Sequence, residues 1–161
     1  MKAIVAVYHT KESDIWGIGA SGTQPLILSA DRNFFRQTTK GHPIVVGHTT
    51  FLDFPNKQPL PNRRNIILTR KNIQIQGAEI VHDIQTLSEL KINDAFVIGG
   101  ASIYKQLLPL CDEVYVTHIY SNIQADVFFP NLYKEEGWEV ETITSGNEQN
   151  IDFKIERFKR R

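Results

Sequence analysis

The amino-acid sequence predicts an α/β fold with a mixed, mostly parallel sheet and helices on both of its faces. In the first two-thirds of the chain, short runs of Ile and Val do not alternate with polar residues, which is typical of strands buried on both faces of a parallel sheet. Segments with the apolar spacing of amphipathic helices separate these runs. In the final third, longer and more alternating runs follow one another without helices, so they predict antiparallel or mixed strands at one edge of the sheet.

Each predicted element follows from one of these patterns. The runs of Ile and Val predict buried strands over residues 2–9, 43–47, 65–69 and 95–100. The alternating runs predict strands over residues 113–120, 138–144 and 153–159. Ser29 is a favourable N-cap for a first helix that carries Phe34, Phe35 and Thr38. Further helices are predicted over residues 49–54, 84–91 and 101–108.

Length and charge restrict the class of protein. The chain has 161 residues, and we expect a single domain over residues 1–161. Lys and Arg together number 18, as do Asp and Glu, which argues against binding nucleic acid by phosphate neutralisation. The single cysteine, Cys111, cannot form an internal disulfide, and this is typical of a reducing compartment. With neither a signal peptide nor an apolar run of membrane-spanning length, we expect a cytoplasmic protein that binds no membrane. We also expect a monomer that binds no nucleic acid and no metal.

Three predicted strands end in residues that suit an anionic ligand. Two of them lead into Gly47–Thr50 and Gly99–Ser102, and in each case a helix is predicted to follow. Glycines at such turns let backbone N–H groups approach an anion, and the start of a helix favours negative charge. With Thr69 and Arg70 at the end of a third strand, the pattern is typical of a dinucleotide site. Neither turn has the six-residue Rossmann fingerprint, and ordinary tight turns are the alternative interpretation.

Several motifs, taken in their order along the chain, resemble those of the dihydrofolate reductase family. They are GIGASG followed by Pro25, AD then FF and T, PIVVG then TT, PLPNRRNIILTR, FVIGGASIY, VYVTHI and ADVFFP. The resemblance implies a single-domain, three-layer fold whose mixed, mostly parallel sheet has eight strands and about four helices on its faces. It also implies a cis peptide between Gly99 and Gly100.

The activity that this resemblance implies is NADPH-dependent reduction of 7,8-dihydrofolate to 5,6,7,8-tetrahydrofolate. Hydride would be transferred to C6 and a proton to N5, in support of one-carbon metabolism and of thymidylate and purine synthesis. We therefore expect dihydrofolate and antifolate inhibitors as small-molecule partners.

Asp31 is the expected catalytic carboxylate, because it stands at the position of the family's single buried acid. It would accept both donors of the amidine-like edge of the pterin, ring N3 and the 2-amino group. We expect it to polarise the ring and raise the basicity of N5, with water delivering the proton. Thr117 matches the position whose hydroxyl braces this carboxylate. From position alone, Asp31 has a simpler interpretation, since an acid in the first turn of a helix adds about 0.3–1 kcal/mol through the helix dipole.

The expected substrate contacts carry over from the family by position. Phe35 would stack on the aminobenzoyl ring, and Arg63 would bind the glutamate α-carboxylate with its rigid fork of donors. Arg64 competes for that role, and the spacing to Pro61 and Asn65 favours Arg63. The expected set is Val5, Ala6, Leu26, Leu28, Arg32, Phe35, Phe54, Leu60, Arg63 and Ile98, in which Val5 and Ile98 offer backbone carbonyls.

The expected cofactor contacts carry over in the same way. Gly17, Gly19 and Gly22 would belong to a loop that closes over the nicotinamide. Val7 and Ile18 would contact the carboxamide through the backbone, and the two glycine turns would cradle the pyrophosphate. The expected set for NADPH is Val7, Ile18, Gly19, Gln24, Gly47, His48, Thr49, Thr50, Leu68, Thr69, Arg70, Gly99, Gly100, Ala101, Ser102, Ile103, Tyr104 and Gln106.

The sequence departs from the family's pattern at several of these positions. Leu26 replaces a Trp whose indole anchors a water near the pterin, and Gln24 replaces an apolar residue near the nicotinamide. Arg32 replaces an apolar groove residue, and it either lies along the groove or points to solvent. His48 and Ser102 stand where the 2′-phosphate site has basic residues, which Arg70 partly offsets.

Two other interpretations remain open at this stage. The pyrimidine reductase of riboflavin synthesis shares the fold, but Asp31 with Phe35 and the GIG loop argue against it. A relative that binds folate or nucleotide without turnover is the second alternative, kept open by Leu26, Gln24 and Arg32. Oxidation of NADPH in the presence of dihydrofolate separates all three.

Overall fold

A computed structural model describes residues 1–9, 14–19, 24 and 26–161 of the chain. Gly22 and Pro25, which belong to the expected nicotinamide loop, lie outside these residues. The strands are β1 (Lys2–His9), β2 (Trp16–Gly19), β3 (Ile44–Gly47), β4 (Asn65–Leu68), β5 (Ala78–Val81), β6 (Phe96–Val97), β7 (Glu113–Tyr120), β8 (Val127–Phe129), β9 (Trp138–Glu148) and β10 (Ile151–Arg160). The α-helices are α1 (Ser29–Thr39), α2 (His48–Phe51), α3 (Ile84–Glu89) and α4 (Ala101–Leu107).

The described residues group into two compact units, each made of two segments of the chain. The first unit contains residues 1–3 and 37–111, and the second contains residues 4–36 and 112–161. Strand β1 therefore begins in the first unit and continues in the second, and α1 begins in the second and ends in the first. A single domain over residues 1–161 stays a prediction from the sequence.

The first unit contains a parallel sheet in the order β5-β4-β3-β6, with the first residues of β1 paired to β6. Every residue of β3 and β4 is buried, as the unalternating Ile and Val runs predict. Because parallel strands end at the same edge of a sheet, the turns after β3 and β6 are neighbours. The Gly47 N–H donates to the Gly99 carbonyl across them at 2.8 Å.

The second unit is mainly antiparallel. Strand β10 lies between β7 and β9 and pairs antiparallel with both. The short strand β2 pairs antiparallel with β1 and with β8. Tyr8 of β1, Leu28 and Ile119 of β7 form a buried cluster in this unit. Leu28 directly precedes α1, so this cluster fixes the position at which α1 begins.

The predicted fold class is confirmed: a mixed α/β fold with four α-helices in the described residues. Counting β1 once, the main strand orders of the two units contain eight strands, the number that the family resemblance implies. The residue patterns do not predict three of the strands, β2, β5 and β8, because β2 and β5 contain Gly or Glu and β8 has only three residues. Within the described ranges, the helices all lack the length and apolar character needed to cross a lipid bilayer.

Helix α1 begins differently from the prediction. Ser29 is its first residue rather than its N-cap, and the Arg32 N–H already donates to the Leu28 carbonyl at 3.0 Å. The Glu148 carboxylate at the end of β9 accepts the N–H groups of Ser29 at 2.7 Å and Ala30 at 3.1 Å. A side chain distant in sequence thus satisfies amides that a local cap would otherwise bind.

Candidate active site

The predicted carboxylate and its hydroxyl partner lie in the second unit and contact each other. Asp31 is in the first turn of α1, and Thr117 is a buried residue of β7. Burial raises the pKa of the Asp31 carboxyl above its ordinary value, and the hydrogen bond from the Thr117 side chain opposes that rise. The hydroxyl donates to the ionised form and stabilises it. The pair therefore presents an acceptor for hydrogen bonds in a partly desolvated position.

The local structure of β7 explains why Thr117 has this partner. Residues 116–119 are all buried, and Thr117 lies opposite Ile155 of β10. A hydroxyl in such a strand needs a hydrogen-bond partner, because an unpaired buried polar group is costly. Asp31 supplies that partner from the start of α1.

Strand β1 and the segment before α1 place the other predicted residues of this unit. Val5 and Val7 are buried and Ala6 is partly buried. Leu28 is buried, while Leu26 packs partly buried against the cluster of Tyr8, Leu28 and Ile119. The remaining predicted residues of this unit are partly buried or exposed: Ile18, Gly19 and Phe35 partly buried, Gln24 and Arg32 exposed.

In the first unit, the two glycine turns form a narrow backbone cradle. A Cβ atom on Gly47 would lie 2.8 Å from Cγ1 of Ile103, and one on Gly100 would lie 2.8 Å from Oγ1 of Thr50. Gly99 has a φ of +120°, which L side chains rarely adopt. Its peptide bond to Gly100 is cis, as expected. Helix α4 starts here, where the Tyr104 N–H donates to the Gly100 carbonyl at 2.9 Å.

The predicted residues next to these turns in the sequence are in different environments. Nδ1 of His48 is buried, and no group among the described residues forms a hydrogen bond with it. The Gln106 side chain donates to the Ser102 hydroxyl at 3.0 Å. Arg70 and Thr49 are exposed, while Ala101 is partly buried and Leu68 is buried. The orphaned Nδ1 of His48 leaves one unmet hydrogen bond beside the first glycine turn, which a bound polar group could satisfy.

Arg63 and Arg64 occupy different environments. Arg63 is partly buried, and it donates from Nη1 to the Thr39 hydroxyl at 2.8 Å and from Nε to the Pro61 carbonyl at 2.9 Å. Arg64 forms a two-pronged ion pair with Glu79 on the surface. Since Glu79 already occupies the Arg64 fork, Arg63 is the better candidate for binding a carboxylate, as the spacing predicts.

The loop that carries Arg63 is braced by a side chain that sequence reasoning used only for spacing. Asn65 accepts the Leu60 N–H and donates to the Leu60 and Arg63 carbonyls, each at 2.9 Å. Of the other predicted residues of this unit, Phe54 is partly buried against Phe51, with ring centroids 5.3 Å apart, and Ile98 is partly buried.

Three residues that the sequence analysis does not predict form hydrogen bonds with the segments that carry the candidate site residues. Tyr8 contacts the segment before α1, Glu148 binds the start of α1, and Nδ1 of His82 donates to the Thr69 carbonyl at 2.8 Å. Tyr8 stands in an apolar run, and Glu148 is 117 residues beyond Asp31 in the sequence, so neither leaves a local signal. Among the described residues, no group of His, Cys, Asp and Glu side chains could hold a metal ion.

Three kinds of comparison place these groups in a family. The family model described as dihydrofolate reductase matches residues 2–160. The dihydrofolate reductase of Haemophilus influenzae is 36% identical over 126 residues, covering 77% of each chain. That of Staphylococcus haemolyticus is 36% identical over 132 residues, covering 80% of this chain and 78% of the relative.

A solved structure agrees with this assignment at the level of the fold. The dihydrofolate reductase from Enterococcus faecalis, complexed with NADP(H) and RAB-propyl, has a TM-score of 0.81 and 28% identity. The match covers 99% of this chain and 96% of that one. With the paired Asp31 and Thr117 and the glycine cradle in place, the chain belongs to the dihydrofolate reductase family.

Proposed function

We propose that this protein reduces 7,8-dihydrofolate to 5,6,7,8-tetrahydrofolate with NADPH. The observation that carries the proposal is the hydrogen-bonded pair of Asp31 and Thr117 at the start of α1. A partly desolvated carboxylate suits a ligand edge with two adjacent N–H donors, and the pterin of dihydrofolate has such an edge.

Asp31 binds and polarises the pterin. Its two oxygens accept from ring N3 and the 2-amino group, which raises the basicity of N5 at the other side of the ring. Because Asp31 grips the opposite edge, it does not reach N5, and water delivers that proton. The carboxylate thus acts through binding and electrostatics.

The glycine cradle of the first unit fits the pyrophosphate of NADPH. A Cβ atom on Gly47 or Gly100 would collide with Ile103 or Thr50, so glycine lets the two turns pack closely, and the backbone N–H groups at the start of α4 are the candidate donors to the pyrophosphate. The buried Nδ1 of His48 gains a partner when a phosphate or ribose group is bound. Arg70 follows Thr69 in the sequence and is exposed. Its guanidinium supplies positive charge for the 2′-phosphate. When bound, NADPH supplies the hydride for C6.

The remaining roles follow the family by position. Arg63 binds the glutamate α-carboxylate, with Thr39 and Pro61 fixing its fork. Phe35 stacks on the aminobenzoyl ring, and Phe54 and Leu60 line the groove that holds this ring. Action as a monomer in the cytoplasm stays a prediction from the sequence.

Steady-state oxidation of NADPH with dihydrofolate tests the proposal. We expect turnover by the wild-type protein, and we expect Asp31→Asn to lower kcat/KM by at least about tenfold, or about 1.4 kcal/mol. The loss should be smaller at low pH, where protonated substrate needs less polarisation. Asp152→Asn is a matched control at an exposed acid of the same unit and should leave kcat/KM unchanged.

Each alternative has its own outcome in this assay. Tight binding of both ligands without NADPH oxidation would indicate a relative without turnover. Reduction of a riboflavin-pathway pyrimidine, and not of dihydrofolate, would indicate the pyrimidine reductase. Unchanged kinetics in Asp31→Asn at neutral pH would remove Asp31 from the mechanism.

A further inference from the structure

A buried tyrosine outside the predicted set reaches the segment that leads to Asp31. Tyr8 is only 2% exposed, and its ring packs against Leu28 and Ile119. Its hydroxyl donates to the main-chain carbonyl of Leu26 and is also hydrogen-bonded to the side chain of Gln24. One phenol therefore holds two points of the segment before α1 from the neighbouring strand β1.

The direction of these hydrogen bonds follows from the single proton of the phenol. That proton is donated to the Leu26 carbonyl, so the Gln24 amide must donate to the phenolic oxygen. Burial raises the pKa of Tyr8 to about 12, so the hydroxyl stays protonated at any working pH. Tyr8 is thus a permanent donor, and its charge does not change during turnover.

Asp31 lies within electrostatic reach of the same hydroxyl, since its negative charge contributes to the raised pKa of Tyr8. The segment held by Tyr8 leads directly into the helix turn that carries Asp31. Burial is the main cause of the raised pKa of Asp31, and the Thr117 bond opposes it. A group that fixes the residues before α1 therefore also fixes the position of Asp31 relative to Thr117 and to the buried cluster.

We propose that Tyr8 is a positioning residue for Asp31, acting through its hydrogen bonds to Leu26 and Gln24. The hydroxyl fixes Leu26 beside the buried cluster of Tyr8, Leu28 and Ile119, and this anchored approach to α1 holds the Asp31 carboxylate in its partly desolvated position. The effect of Tyr8 on the reduction of dihydrofolate rests on the proposed function, whereas its effect on the pKa of Asp31 does not.

Tyr8→Phe is the variant that tests this, because it removes the hydroxyl and keeps the ring packing. The Leu26 carbonyl then lacks a donor, and water enters to supply one. We expect the pKa of Asp31 to fall toward its ordinary value, measured by titration of the carboxyl carbon by NMR in the ligand-free protein. We also expect kcat/KM for dihydrofolate to fall by about tenfold. The acidic limb of its pH profile should move to lower pH, as the pKa of Asp31 does.

Tyr133→Phe is the matched control. It removes a hydroxyl that donates to Glu156 in the same unit, away from the segment before α1. We expect it to leave both the pKa of Asp31 and kcat/KM unchanged. A general loss of stability would affect both variants, so only an effect confined to Tyr8→Phe supports the proposal.

Gln24→Ala provides a second variant that keeps the phenol. If Gln24 acts through Tyr8, its effect on the pKa of Asp31 and the effect of Tyr8→Phe should not add in the double variant. An unchanged Asp31 titration in both single variants would overturn the proposal. Absence of dihydrofolate turnover in the wild type would instead overturn the proposed function, and the NMR titration would still decide the role of Tyr8.

Discussion

At the scale of single residues, Asp31 is subject to two opposing influences. Burial raises the pKa of its carboxyl, and the hydrogen bond from Thr117 lowers it. The resemblance to the family predicts both residues and their pairing. It does not predict Tyr8, because a tyrosine within an apolar strand reveals nothing in sequence about the acceptor its hydroxyl will reach.

Thr117→Val removes the bond and keeps the shape of the side chain. Because that bond stabilises the ionised carboxylate, its loss should raise the pKa of Asp31 further, and the acidic limb of the kcat/KM profile should move to higher pH. Thr142→Val, at an exposed position of β9, is the control and should leave the profile in place. A limb that stays fixed or moves to lower pH in Thr117→Val would contradict this account.

At the scale of elements, the start of α1 depends on the end of β9. Glu148 accepts the Ser29 and Ala30 N–H groups, and it stands directly before the turn formed by Gln149 and Asn150, which have φ of 52° and 64°. A two-residue turn of this kind connects the two strands of a hairpin directly, so both strands continue up to the turn. The sequence predicts both strands but ends β9 four residues early, because residues 145–148 are polar or Gly.

Glu148→Ala should lower the free energy of unfolding by about 1–2 kcal/mol, the usual loss when a helix start loses its cap. Glu148→Gln keeps an acceptor without the charge and should fall between the alanine variant and the wild type. Glu141 lies on β9 like Glu148 and forms an exposed ion pair with Arg157 of β10. Glu141→Ala should lower the free energy of unfolding by less than about 1 kcal/mol. Urea denaturation measures all three, and equal losses in Glu148→Ala and Glu141→Ala would count against the cap.

At the scale of the whole molecule, a partly buried chain of polar side chains, centred on the buried His118 and Glu156, should couple stability to pH. Nε2 of His9 lies 2.7 Å from Nδ1 of His118, and Nε2 of His118 lies 2.7 Å from Oε1 of Glu156. Tyr133 donates to the same carboxylate oxygen. With His118 donating to Glu156, its Nδ1 accepts from His9, so His118 is neutral in this arrangement.

Burial lowers the pKa of His118 to about 3 and also lowers that of His9. Free histidine has a pKa of about 6.5, so the unfolded chain binds more protons than the folded one between these values. The free energy of unfolding should therefore decrease as the pH falls from about 6.5 toward 3, by up to about 1.4 kcal/mol per pH unit from His118, and the lowered pKa of His9 acts in the same direction.

Carboxylates also titrate in this range, so the test is a comparison between variants. His118→Gln should have a shallower dependence on pH than the wild type, while His42→Gln, at a partly exposed histidine, should keep the wild-type slope. Chemical denaturation at a series of pH values gives the slopes. Parallel curves for the wild type and His118→Gln would show that this chain of groups does not govern acid stability.

The fold class is predictable because unalternating and alternating runs distinguish the two kinds of strand. The division into two units is not, because no change in composition marks the chain near residues 3, 36 or 111, where it passes between them. The candidate site is similar: motifs identify Asp31, Thr117 and the glycine turns, whereas the supports at Tyr8, Asn65 and Glu148 depend on contacts made in three dimensions.

The interior position of β10 has a consequence for synthesis of the protein. It is the last strand in chain order, yet it lies between β7 and β9 and pairs with both. As the nascent chain leaves the ribosome, β7 and β9 therefore emerge before the strand that joins them, and each presents unpaired backbone groups until residues 151–160 follow. A pause in translation just before this final strand would prolong the exposure of those edges and favour association between nascent chains.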